Sequence, residues 1–148
     1  MALVIEGEER IVAPVEKVWA ALNDPDVLKD CIPGCQSLEM KSPTEMAATV
    51  VLKIGPIKAT FNGEVTLKNL KPPHSYTIQG EGKGGIAGFA KGGADVTLTP
   101  DGDGTMLKYA AKADVGGKIA QLGSRLITST SKKLAGQFFS TFGEKVGG

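Results

Sequence analysis

Between Ile57 and Lys68 apolar and polar residues alternate without a break. Ile57, Ala59, Phe61, Gly63, Val65 and Leu67 share one parity, and Lys58, Thr60, Asn62, Glu64, Thr66 and Lys68 the other. A period of two belongs to an extended chain whose side chains point to opposite faces, so this stretch predicts a strand with one face buried. The same parity returns in shorter runs over residues 3–12, 36–41, 45–53, 76–83, 94–98 and 107–115. Ser42-Pro43-Thr44, Gly55-Pro56, Pro72-Pro73-His74 and Asp101-Gly102-Asp103-Gly104 lie between successive runs. Each is rich in turn-forming residues and short enough for a hairpin, and consecutive hairpins make an antiparallel sheet. Residues 84–93, where glycine recurs, are read as a flexible connection between two strands.

The period lengthens to three and four in two places. Pro14 opens a helix at a position where its missing N–H costs nothing, and Val15, Val18, Trp19 and Leu22 form its buried face. Asn23-Asp24-Pro25 ends it, because the residue before a proline avoids the helical region. A short second helix over residues 26–30 leads into the tight loop Cys31-Ile32-Pro33-Gly34-Cys35. The last stretch, residues 117–146, lacks proline and carries Ile119, Leu122, Leu126, Leu134, Phe138 and Phe142 as a stripe, with Thr130 filling the missing rung. A helix of that length spans roughly 40 Å. One long helix following a run of strands buries its stripe only by lying across their sheet. The expected fold is therefore α+β and of the helix-grip kind. A curved antiparallel sheet of about seven strands wraps a long C-terminal helix, with two short helices after the first strand, in a single domain over residues 1–148.

Small residues crowd the inward parity of the middle strands: Ala59, Gly63, Gly80, Gly82, Ala94, Ala111 and Ala113. Twenty glycines accompany an aromatic content of only 5%. Side-by-side holes of leucine size cost about 2–5 kcal/mol each in a packed core, so such a face calls for a guest. The expected cavity wall takes Trp19 and Leu22 from the first helix, and Ala59, Phe61, Gly63, Val65, Ile78, Ala94 and Val96 from the middle strands. Tyr109 and Ala111 come from the last strand, and Leu122, Leu126, Thr130 and Leu134 from the long helix. Cys31, Pro33 and Cys35 of the tight loop, with Ile86 and Phe89 of the glycine-rich connection, are expected at its mouth. Charged side chains in the strands fall on the outward parity. The matching ligand is an uncharged apolar molecule with one or two hydrogen-bonding groups, such as a lipid, a quinone or an isoprenoid. Thr130, Tyr109, Ser129 and Ser131 are the hydroxyls within its expected reach.

Composition removes other classes. A net charge of +1 gives no electrostatic footprint for nucleic acid, although residues 1–50 hold nine acids against four bases and residues 104–148 seven bases against two acids. Gly80-x-Gly82-x-x-Gly85 matches the dinucleotide fingerprint in letters, but more glycine and a strand follow it where a pyrophosphate needs a helix N-terminus. Cys31 and Cys35 have no further cysteine to join them, and the sole histidine, His74, lies in a turn, so no metal, cofactor or catalytic constellation is expected. The N-terminus lacks the pattern of a signal peptide, no window is apolar enough to span a bilayer, and two cysteines make no disulfide framework. A cytoplasmic, non-enzymatic protein is the expectation.

Three motifs carry a family resemblance: Ala13-Pro14-x-x-x-Val18-Trp19-x-x-Leu22-x-Asp24-Pro25, Cys31-Ile32-Pro33-Gly34-Cys35 and Lys53-x-Gly55-Pro56-Ile57. On these the chain resembles the helix-grip SRPBCC (START-like) superfamily and, more closely, the G-subunit family of carbon monoxide dehydrogenase. The resemblance implies a hydrophobic cavity under the long helix. It also implies a non-catalytic accessory role beside a molybdenum hydroxylase of the carbon monoxide dehydrogenase type, linked to placing that enzyme at the inner face of the cytoplasmic membrane. Longer members continue into a tail that reaches the membrane; this chain stops at Gly148, so peripheral contact is the expectation here. An assembly or membrane-docking role, with the cavity incidental, is the alternative that the resemblance leaves open.

Overall fold

In the computed structural model, which describes residues 1–147, the order of elements is one strand, two short helices, six strands and a long helix. The strands are β1 (Ala2–Ile11), β2 (Cys35–Ser42), β3 (Glu45–Ile54), β4 (Ile57–Lys71), β5 (Ser75–Lys83), β6 (Phe89–Asp101) and β7 (Gly104–Gly116). The helices are α1 (Val15–Leu22), α2 (Pro25–Cys31) and α3 (Ser124–Gly147). One antiparallel sheet runs β1-β7-β6-β5-β4-β3-β2. Every neighbour from β2 to β7 is a hairpin partner, and β1 closes on β7 from the far end of the chain. This is the expected helix grip.

Local chemistry sets the joints. Asp24 caps α2 by accepting the Asp26 N–H at 3.0 Å, with Pro25 at the first helical position. Gly34 turns the chain from α2 into β2 with φ +76°, and its carbonyl accepts the Val51 N–H at 2.9 Å, which fastens the loop to β3. The buried Thr105 hydroxyl donates to the Ala13 carbonyl at 2.7 Å, tying the start of β7 to the entry of α1. Lys145 meets Asp30 at 2.9 Å and joins the end of α3 to α2.

Cross-strand register places the small residues in rows on the concave face. Ala48, Gly63, Gly82 and Ala90 oppose one another across β3 to β6, and Val65, Gly80, Gly92 and Ala113 form the next row. This band separates two apolar clusters. The larger one gathers Val18, Leu22, Leu67, Tyr76, Val96, Leu107, Phe142 and Val146. The smaller one holds Phe61, Ala87, Val115, Ile119 and Ile127. Residues at both ends are buried, while Gly63, Gly80, Ala94 and Ala111 between them are only half-buried. The sheet and α3 do not close on each other in the middle.

Two expectations need correction. The glycine-rich connection is shorter than residues 84–93, since β6 begins at Phe89 and only a 3-10 turn, Gly85–Ala87, intervenes. The last stretch is not one continuous helix. A 3-10 segment, Lys118–Leu122, stops at Gly123 with φ +92°, and α3 begins afresh at Ser124. Its inner face also differs: Ile127, Phe142 and Val146 are buried, and Phe138 and Phe139 pack against the larger cluster. A four-residue step over-rotates an α-helix by about 40°, so four such steps turn Leu126 about 160° away from Phe142.

Candidate ligand-binding site

Between α3 and the concave face lies an apolar cavity of about 230 Å³. Phe138 and Phe139 roof it from α3. Val65, Leu67, Tyr76, Ile78, Val96 and Leu107 form its floor on β4 to β7. Leu22, Leu28, Ile32, Leu38, Met46 and Ala48 close its sides from α1, α2, the following loop, β2 and β3. No charged side chain stands on this wall, so the site offers nothing to offset the desolvation of an ion. Its shape is fixed by ring packing. Phe138 stacks on Phe142 and meets Phe139 edge-on, while Phe139 stacks on Tyr109 with ring centres 5.3 Å apart. Tyr109 in turn lies over Gly7, where a Cβ would fall within 2.4 Å of the phenol oxygen.

Tyr76 is the one wall residue with a hydroxyl. Trp19 meets its ring edge-on at 5.3 Å, and burial pushes its phenol well above the ordinary range, so the group is neutral at physiological pH.

Leu22, Val65, Ile78 and Val96 stand on the wall that the sequence assigned to them. The other expected wall residues lie elsewhere. Trp19 backs Tyr76, and Tyr109 backs Phe139. Ala59 and Phe61 belong to the smaller cluster. Gly63 belongs to the small-residue band, Ala94 and Ala111 pair across β6 and β7 in the neighbouring row, and none of the three lines the cavity. Leu122 precedes the break at Gly123, and Leu126 sits against the β3–β4 turn, where a Cβ on Gly55 would come within 2.9 Å of it. Thr130 and Leu134 are rotated off the inner line of α3 and off the wall, and the Ser129 hydroxyl donates to the Leu126 carbonyl at 3.0 Å.

The expected mouth is also redistributed. Of the Cys31–Cys35 loop only Ile32 reaches the cavity; Cys31 is buried in the larger cluster and Pro33 and Cys35 are half-buried beside it. Both thiols are free, and burial raises them above the ordinary range. Ile86 and Phe89 sit at the opposite, smaller-cluster end. Ile86 is 86% exposed, and the Phe89 ring covers Gly116. Sequence reasoning missed Leu28, Ile32, Leu38, Met46, Ala48, Leu67, Tyr76, Leu107, Phe138 and Phe139. Tyr76 shares the parity of Ile78, which was a usable signal. The approach of α2 and β2 left none.

The outer face of the sheet carries open, shallow troughs lined by Glu64, Glu81, Lys83, Lys91 and Lys112. Among the described residues no three His, Cys, Asp or Glu come together as a metal site, and no helix is long and apolar enough to cross a membrane.

A sheet gripping a long helix over an apolar hollow is the START-like architecture, and fold and cavity together define a hydrophobic ligand-binding domain. The chain belongs to the carbon monoxide dehydrogenase G-subunit family (CoxG), whose profile matches residues 7–147. A conserved protein from Geobacillus kaustophilus is similar at 32% identity and a TM-score of 0.92, covering 97% of this chain and 95% of that one. A START superfamily protein from Mycobacterium smegmatis shares the fold at 13% identity, with a TM-score of 0.73 and coverage of 97% and 96%. The Zhui aromatase/cyclase from Streptomyces sp. R1128 shares it at 11%, with a TM-score of 0.71 and coverage of 99% and 94%. No curated relative matches the sequence.

Proposed function

We propose that this protein is a non-catalytic carrier of a neutral, mainly apolar small molecule, lipid- or quinone-like, serving a carbon monoxide dehydrogenase-type molybdenum hydroxylase. One observation carries the reading: a cavity of about 230 Å³ whose wall is hydrocarbon, one thioether and one phenol. Such a wall rewards burial of apolar surface and penalises charge. It also holds no carboxylate, imidazole or thiol for proton transfer or attack, which supports a carrier over an enzyme such as the aromatase/cyclase of the same fold. Membership of the CoxG family supports the partner. Two free cysteines agree with a cytoplasmic setting.

Native mass spectrometry and solvent extraction of the purified protein test the carrier. An apolar molecule bound at about one per chain is expected, and it is lost from the filled variant Ala48→Leu with Ile78→Phe. Absence of any bound molecule, together with no uptake of added apolar probes, sinks the proposal. Recovery of a molybdenum hydroxylase in a pull-down from cells supports the partner, and its absence removes that half.

A second reading, peripheral membrane docking, is favoured by the exposed Ile86. It stands at the tip of the β5–β6 connection beside Phe89, which is 43% exposed; in the same hollow Lys83 pairs with Glu81 at 3.8 Å, and Lys118 follows its Gly117. An exposed apolar tip with Lys118 beside it suits insertion at a bilayer surface. Co-sedimentation with phosphatidylserine-containing vesicles is expected to fall several-fold in Ile86→Asp. Equal sedimentation of both proteins, or no sedimentation of either, ends this reading.

A further inference from the structure

The cavity wall is hydrocarbon almost throughout, and its exception is a phenol without a protein partner. Tyr76 is only 5% exposed. Trp19 meets its ring edge-on with centres 5.3 Å apart, and Val96 is its cross-strand partner. No group among the described residues hydrogen-bonds the Tyr76 hydroxyl. Every fully sealed side-chain nitrogen or oxygen of the described residues, by contrast, is hydrogen-bonded. The phenol oxygen is therefore not sealed, and Tyr76 is one of the residues that line the cavity. Buried hydroxyls are normally paired, because leaving one unpaired forfeits the bond it made in water. An unpaired hydroxyl on an otherwise apolar wall is the arrangement of a ligand-orienting group.

Resting on the carrier reading, we propose that the Tyr76 hydroxyl is the single polar anchor of the cavity. It donates a hydrogen bond to a neutral acceptor, a carbonyl or ether oxygen, on an otherwise apolar guest. A carboxylate guest is disfavoured, since no cation lines the wall to offset its desolvation. The anchor fixes which end of the guest points toward Trp19 and leaves the hydrocarbon end under Phe138 and Phe139.

The test uses the full chain and two probes that differ by a carbonyl oxygen, 2-acetylnaphthalene and 2-ethylnaphthalene, with binding measured by fluorescence titration. The ketone's affinity relative to the hydrocarbon's is expected to be about three- to tenfold higher in the native protein than in Tyr76→Phe, the range one net hydrogen bond supplies. Tyr76→Phe is expected to lower the ketone's affinity by that factor while leaving the hydrocarbon's affinity unchanged. The carbonyl stretch of the bound ketone should shift to lower frequency in the native protein and not in the variant. Without any probe, Tyr76→Phe should keep or raise Tm, because no protein hydrogen bond is lost. Equal binding of both probes with no effect of Tyr76→Phe overturns the anchor and leaves the carrier standing. A lower Tm in the unliganded variant also overturns it, by revealing a structural partner. Failure of both probes to bind overturns the carrier reading, and the anchor with it.

Discussion

Thr105 shows how much one side chain holds in this small core. It is fully buried, and its hydroxyl meets the Ala13 carbonyl at 2.7 Å where β1 hands over to α1. Thr105→Val keeps the shape but strands that carbonyl without a donor. The expected loss is about 1–3 kcal/mol, seen as a lower midpoint in denaturant unfolding with an unchanged slope. Single residues were also the finest grain legible in the sequence. Strand parity alone put Val65, Ile78 and Val96 on the inner face, and helical spacing did the same for Leu22. Met46 and Leu38 could not be found that way. Their place on the wall depends on where β2 and β3 curl toward α3, which no local spacing records.

At the scale of elements, the joints are more informative than the strands. Gly34 has φ +76°, and a Cβ there would fall 2.0 Å from the Val51 carbonyl oxygen. A side chain thus meets both an unfavourable backbone region and a neighbouring backbone that cannot yield. Gly34→Ala is expected to cost at least about 2 kcal/mol, a fall of roughly 4–8 °C in Tm by calorimetry for a chain of this size. Because Ile32 lies two residues away on the cavity wall, the same variant should also weaken probe binding. The long helix illustrates the limit of pattern reading. Its existence was plain from composition and period, but a run of four-residue steps hides a steady rotation, and Gly123 resets the phase before α3 starts. Leu126, Thr130, Leu134, Phe138 and Phe142 looked like one stripe in sequence, and that stripe drifts by about 160° between its ends in space.

For the whole molecule the decisive quantity is emptiness. The pocket opens in part to solvent, so its apolar wall keeps a hydration cost of about 25 cal/mol per Å² until something covers it. A fold that keeps such a hole gains most when a guest of matching chemistry fills it, since mass action then adds the binding free energy to stability. The sequence by itself determined the strands, the antiparallel pairing of consecutive ones and the terminal helix, because these follow from periodicity and turn chemistry within a few residues. Its motifs carried the resemblance to the family; the closure of β1 on β7 came only with the tertiary structure. The sequence also determined that the concave face would be short of side-chain volume. Only the tertiary structure decided where the resulting space gathers. The Gly and Ala rows meet the cavity only at Ala48 and Val65, and the helix, α2 and β2 enclose it at the Tyr76 end. Packing of elements distant in the chain sets that location, and a local pattern carries no information about how far apart two faces come to rest.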